Sequence, residues 1–205
     1  MTWADFLREI ADKDHVTIVG PLLSRAHRPV MPTIYVDGGS DFRADGGSIP
    51  MVSVGDGDSA SGRLDEVLPA NKDYSDLAFV LRSLPAKVTN IDLIGFLGER
   101  RDHELANLGE VHQFLLTRLQ RTTVRISSSH DRIVAFSQGK VSMDLRGIFS
   151  VMVFEPEAVK ISGACEYPLT GDVILPVASS VGLSNCAFGL VDIESTKPCF
   201  VFISS

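Results

Sequence analysis

Five aspartates stand where short apolar runs stop. Asp37 follows the run 34–36 in an Asp-Gly-Gly turn, and Asp56 and Asp58 follow the run 51–54 in Gly-Asp-Gly-Asp-Ser. Asp73 and Asp76 lie where a helical period begins. In an open α/β sheet ligands bind outside the carboxyl ends of the strands, so these separate segments are expected to converge on one crevice. Carboxylates crowded together repel unless cations neutralise them. An all-oxygen donor set favours Mg2+, which keeps waters and bridges to substrate phosphates. Gly38, Gly39, Gly55 and Gly57 beside them permit tight turns and close approach of backbone to a ligand. The chemistry expected is the handling of a Mg-bound polyphosphate.

A second cluster, Gly98-Glu99-Arg100-Arg101-Asp102-His103, ends a strand-like run and opens a long helical period. A helix N-terminus presents free N–H groups, and two guanidinium groups add planar donors suited to phosphate oxygens. A plainer reading has Asp102 capping the helix and both arginines solvated. Other phosphate and metal motifs fail. No G-x-x-x-x-G-K-[ST] occurs, and an EF-hand begun at Asp56 would put Ser61 at the glycine position and Val67 at the bidentate glutamate. Gly55, Gly57 and Ala60 meet the loose dinucleotide-binding pattern, but Asp56 and Asp58 would face a pyrophosphate without a metal.

Elements able to position these residues follow from periodicity. Trp3, Phe6, Leu7 and Ile10 make one stripe of a short helix, and 16–19 reads as a strand. Leu77, Val80, Leu81 and Leu84 share a helical face, with Asp73 or Ser75 placed to cap it. The run 88–97 returns to strand, and Leu105, Leu108, Val111, His112, Leu115 and Leu119 mark a long amphipathic helix. Residues 1–121 therefore read as an α/β domain built on a parallel sheet. Past Arg121 the helical period disappears. The runs 124–127, 132–136, 147–154, 159–162, 172–177 and 199–203 succeed one another with turn signals between them, so 122–205 reads as an antiparallel β-sandwich.

Composition narrows the partners. With 205 residues and 44% hydrophobic content the chain can bury one generous core or two small ones. It carries 19 Lys plus Arg against 26 Asp plus Glu, a net charge of -7, the wrong sign for a nucleic-acid footprint. The N-terminal stretch mixes acidic with apolar residues, so neither signal peptide nor membrane span is expected there, and the location expected is cytoplasmic. Cys165, Cys186 and Cys199 are odd in number and lack Cys-x-x-Cys spacing, as fits reduced thiols.

The ordered series Asp37 to Gly39, Gly55 to Ser59, Lys72 to Asp76 and Gly98 to His103, with Ala106-Asn107 behind it, resembles thiamine pyrophosphokinase. Ser162-Gly163, Tyr167-Pro168-Leu169 and Ser184-Asn185 are similar to the thiamine-side motifs of that family. The resemblance runs in order along nearly the whole chain. It implies an α/β ATP- and Mg-binding domain, a thiamine-binding β-sandwich, and a homodimer whose active sites lie where domains of the two subunits meet. The implied reaction moves the pyrophosphoryl group of ATP to the hydroxyl of thiamine and releases AMP.

By the same resemblance Asp56, Asp58 and Asp76 hold Mg2+ and the triphosphate, with Asp73 as a further ligand or as the base. Asp37, Gly38, Gly39, Ser59, Lys72, Arg100, Asp102 and His103 fall on the phosphate side, and Tyr167, Ser184 and Asn185 on the thiamine side. Glu99, Gly57, Ser75 and Tyr167 depart from the family pattern, respectively from glycine, a bulky apolar residue, threonine and tryptophan. They keep two alternatives open: another hydroxyalkyl heterocycle as acceptor, or a nucleotide- or thiamine-binding homologue that has lost its chemistry. A sugar transferase using Asp56 and Asp58 as a metal clamp would leave the Gly98 to His103 cluster and the β half unexplained.

Overall fold

In the computed structural model, residues 1–98, 100–128, 131–171 and 173–204 are described. The chain divides into two compact units, Met1–Phe114 with Val124–Ser128, and Leu115–Thr123 with Ser129–Ser205. The division interleaves, where a single cut after residue 121 is the sequence expectation. Its cause is local. Val124 and Ile126 are buried apolar residues of a strand set beside the first unit's sheet, whereas Thr122 exchanges hydrogen bonds with Ser137 of the second unit at 3.0 Å in each direction.

The first unit contains α1 (Trp3–Glu9), β1 (His15–Val19), β2 (Thr33–Val36), β3 (Met51–Gly55), β4 (Glu66–Val67), α2 (Asp76–Ser83), β5 (Asn90–Ile94), and all but the last two residues of α3 (Arg101–Leu116) and the first of β6 (Thr123–Ser127). The strand order is β6-β5-β1-β2-β3-β4, and every pair from β5 to β4 is parallel, as expected for this half. β2 is buried along its whole length and β3 from its second residue, which is why both read as unbroken apolar runs. The order places β1 between β2 and β5. The chain thus changes direction along the sheet there, between β1 and β5.

Helix ends follow their side chains. Thr2 Oγ1 accepts the Asp5 N–H at α1, and Ser75 Oγ accepts the Ala78 N–H at 3.1 Å at α2, so Ser75 rather than Asp73 is the cap. α2 buries Leu77, Ala78, Val80 and Leu81. In α3 the buried stripe is Leu108, Val111, His112 and Leu115, together with Phe114. Leu105 and Leu119 do not join it. Leu105 stands in a solvent-facing first turn beside exposed Arg101, Asp102 and His103, and Leu119 lies past the helix end, which Arg118 N–H closes on Leu115 O.

The second unit holds β7 (Asp131–Phe136), β8 (Gly139–Met152), β9 (Glu157–Cys165), β10 (Ile174–Leu175), β11 (Asn185–Ser195) and β12 (Cys199–Ser204). Their order is β10-β9-β11-β8-β12-β7, antiparallel throughout. β8 is long enough to serve two neighbours, pairing with β11 over 139–149 and with β12 over 149–152. Phe136, Phe149, Val151, Ile161, Val191, Ile193 and Val201 meet in one core.

This half is antiparallel as expected, with three corrections, the first being that β8 begins at Gly139, eight residues before the expected run 147–154, and ends at Met152. β11, flanked by β8 and β9, is absent from the sequence reading because Ala187, Val191 and Ile193 point inward while Phe188 and Leu190 point out, and no continuous apolar run marks it. Of the expected strand 172–177 only Ile174–Leu175 is strand, and Asp172 lies outside the described residues.

Candidate active site

The site is built on the ends of β2 and β3. Their register sets Val36 beside Val54, so the next residues, Asp37 and Gly55, lie side by side. A Cβ on Gly55 would stand 2.8 Å from Asp37 Cβ, so that approach requires glycine. From Asp37, at φ 46, the chain enters a 3-10 turn, Asp37–Phe42, whose Gly39 passes so close to β1 that a Cβ there would meet Val19 O at 2.3 Å.

Asp37 is 7% exposed. Its Oδ1 accepts the Gly57 N–H at 3.1 Å, and its Oδ2 accepts the Ser59 hydroxyl. These bonds bring the loop after β3 back over Asp37. Asp41, which the sequence reading passes over, adds a second tie by accepting the Ser61 N–H at 3.0 Å and its hydroxyl at 2.7 Å. The only signal for Asp41 is its place in the same turn, four residues after Asp37.

Asp37, Asp56 and Asp58 each contribute an oxygen to a group whose members lie within 4.8 Å of one another. The hydrogen-bonded contact with Asp37, followed by the charge of Asp56, raises the Asp58 carboxyl above its ordinary value. Three carboxylates without nitrogen or sulfur donors fit a hard divalent cation such as Mg2+.

Asp76 is not a member of this group; it faces Lys72. Lys72 Nζ donates to Asp56 Oδ2 at 2.7 Å and stands 3.0 Å from Asp76 Oδ1, an ion-pair contact that lacks the alignment of a hydrogen bond. The Lys72 side chain is 6% exposed. Burial works against its charge, but the two carboxylates outweigh burial and its pKa is raised. The hydrogen bond from Lys72 holds Asp56 below the usual carboxylate range, whereas burial leaves Asp76 above it despite Lys72. Asp73 is exposed and makes no ion pair or side-chain hydrogen bond among the described residues.

Arg100 and His103 are not brought onto these aspartates. Arg100 grips Asp102 through Nε at 3.2 Å and Nη2 at 2.5 Å, and Arg101 pairs with Glu104 at 3.3 Å, all at the surface. Glu104 also braces the turn into α3 by accepting the Gly98 N–H at 2.6 Å, and Asn107 donates to Phe96 O at 3.1 Å. His103 is exposed, and Glu99 lies outside the described residues. Asp102 thus spends its carboxylate on Arg100.

In the second unit Tyr167 and Asn185 meet. Asn185, buried, donates from Nδ2 to Tyr167 O at 2.7 Å and accepts the Tyr167 N–H at 3.0 Å. The Tyr167 ring is exposed, and its hydroxyl's hydrogen bond to Glu166 raises its pKa. Ser184, at φ 56, is exposed and donates its N–H to Ser150 Oγ at 3.0 Å.

No protein-family profile and no curated protein matches the sequence. Solved structures do. The chain is similar to thiamine pyrophosphokinase from Bacillus subtilis, with 21% identity, 93% of this chain and 99% of that chain covered, and a TM-score of 0.71. It is also similar to the Candida albicans enzyme, with 12% identity, 98% and 90% coverage and a TM-score of 0.72. The yeast enzyme, at 12% identity, 100% and 90% coverage, gives a TM-score of 0.64. Strand-end aspartates on a parallel sheet and an antiparallel second unit are thus arranged along one chain that has the thiamine pyrophosphokinase fold.

Proposed function

We propose that this protein is a Mg-dependent pyrophosphokinase that transfers the pyrophosphoryl group of ATP to the hydroxyl of thiamine. The observation that carries the reading is the convergence of Asp37, Asp56 and Asp58 at the ends of β2 and β3, in a fold shared with thiamine pyrophosphokinases. Asp37, Asp56 and Asp58 would hold the metal, and Asp76, expected as a ligand by resemblance, would act with Lys72 beside it. Bound there, Mg2+ supplies Lewis-acid polarisation of the phosphoryl oxygens.

The chain's own residues have separate tasks. Gly38, Gly39 and Ser59 shape the turns around Asp37, and the Ser59 hydroxyl fixes its carboxylate. Lys72 offsets charge within the cluster. Arg100 and His103, exposed at the start of α3, would turn toward the triphosphate when it binds, with Arg100 exchanging Asp102 for phosphate. The acceptor hydroxyl oxygen forms a bond to the β-phosphorus as the bond from that phosphorus to the α-phosphate oxygen breaks, and AMP leaves with that oxygen. Asp73, exposed ahead of α2, would take the hydroxyl proton or serve as a further ligand. Tyr167 would stack on the acceptor, with Ser184 at its edge and Asn185 acting through the Tyr167 backbone.

A homodimer and a cytoplasmic location belong to the same proposal. In support of the dimer, Ile148, Phe188 and Leu190 form an exposed apolar stretch on the outward face of β8 and β11. A second reading, another hydroxyalkyl heterocycle as acceptor, is favoured by the Glu166-bound phenol of Tyr167, which differs in polarity from an indole.

The experiment is AMP and thiamine pyrophosphate production from ATP, Mg2+ and thiamine, separated chromatographically. Thiamine-dependent AMP with matching product, lost in Asp56→Asn and Asp58→Asn, is expected. ATP binding without AMP release would overturn the enzymatic reading, and turnover only with other heterocycles would favour the second.

A further inference from the structure

The Lys72 ammonium sits inside the carboxylate cluster. It lies 2.7 Å from Asp56 Oδ2 and 3.0 Å from Asp76 Oδ1, and the three side chains are 6%, 16% and 15% exposed. Asp56 therefore has two sets of neighbours at once: the Asp37 and Asp58 carboxylates, and Lys72 with Asp76. A carboxylate shared in this way can bridge two cations. In two-metal phosphoryl-transfer sites the ions stand about 3.5–4 Å apart, close enough to share such a ligand.

We propose that Lys72 is a fixed internal cation that takes the second cation position, so that the site binds a single divalent ion, held by Asp37, Asp56 and Asp58. The inference rests on the metal reading above and adds its stoichiometry. Charge supports it: four carboxylates against one ammonium leave an excess of three, which one divalent ion reduces to one. Shielding supports it as well, because a cation within 3.0 Å of both partly buried carboxylates offsets the repulsion between them. Lys72 acts through these carboxylates and is a positioning residue. It keeps the Asp56 carboxylate oriented toward Asp37 and Asp58 before any ligand arrives.

The test counts Mn2+ ions bound per full-length chain by electron paramagnetic resonance, without nucleotide, alongside thermal unfolding to confirm the fold. Wild type should bind one ion. Lys72→Met should bind two, because Asp56 and Asp76 become available together, and Lys72→Arg, which keeps a cation, should bind one. Where Lys72→Met does not fold, Lys72→Met/Asp76→Asn removes both charges of the pair and should bind one. Two ions in wild type or in the double variant, or one in a folded Lys72→Met, would overturn the inference while leaving the metal site standing. No ion in wild type would instead sink the metal reading itself, and this inference with it.

Discussion

The side-chain amide of Asn185 closes a two-bond ring on the backbone of Tyr167, donating to its carbonyl at 2.7 Å and accepting its N–H at 3.0 Å. Both faces of the amide are used, which fixes its orientation. Asn185 is 4% exposed while the Tyr167 ring it supports is 59% exposed. Asn185→Ala should therefore cost about 1–3 kcal/mol, since partly buried backbone groups lose their partners. Tyr167→Ala should cost less than about 0.5 kcal/mol, as an exposed substitution does. Urea unfolding of the two variants checks this; equal losses would refute the supporting role.

Ser59 offers a test of how the cluster is held. Its hydroxyl donates to Asp37 Oδ2 without belonging to the group of candidate metal ligands. Groups that orient a ligand in this way typically contribute about 10–100-fold to metal affinity. Ser59→Ala should weaken Mn2+ binding by about tenfold with the number of ions unchanged, as read by calorimetry. An unchanged affinity would show that the Gly57 N–H alone holds Asp37.

How far the site is legible before folding depends on whether its contacts are local. Asp37, Asp56 and Asp58 announce themselves because each follows an apolar run at a glycine-rich turn, and parallel pairing of β2 and β3 then brings those ends together. The cap of α2 is equally local. Lys72 and Asp76 are one helical turn apart in sequence, but the bond from Lys72 to Asp56 spans sixteen residues and depends on how the loop after β3 packs. Arg100 and Arg101 err in the opposite direction. Their basic charge suggests free donors, while acids two and three residues onward pair with them in the folded chain. In the second unit, alternation on β11 produces an outward apolar stripe that conceals a central strand.

Asp65 makes the stability of the first unit depend on pH. Its Oδ2 accepts from Ser53 N at 2.9 Å, Ser53 Oγ at 3.0 Å and Arg43 Nη1 at 2.8 Å. Burial pushes this carboxyl up, but the Ser53 and Arg43 donors outweigh burial and leave it below its ordinary value of 3.8. A depressed folded pKa contributes stability that is present above 3.8 and lost as pH falls through the lowered value. Asp65→Asn should lower stability at pH 7 by about 1–3 kcal/mol and flatten the acid limb of the stability curve. Wild type and variant running parallel from pH 6 to pH 2, roughly the range in which such a carboxylate titrates, would contradict this.

The three thiols should separate by reactivity. Cys199 lies in β12 with no exposure, and burial, reinforced by the charge of Glu157, pushes its pKa up to about 12. At pH 8 such a thiol is ionised in about one molecule in ten thousand, and the thiolate is the nucleophile. Cys165 is also buried, packed in the core with Phe149 and Val191. Cys186 is half-buried, on the outward face of β11 opposite Ile148. Native protein treated with iodoacetamide at pH 8 should lose one thiol rapidly, with the other two reacting only after denaturation. Cys186→Ser should remove the fast phase and leave the slow ones unchanged. Two fast thiols in the native wild type would mean that the second unit's core opens on the labelling timescale, and that Cys165 and Cys199 are less protected than their burial dictates.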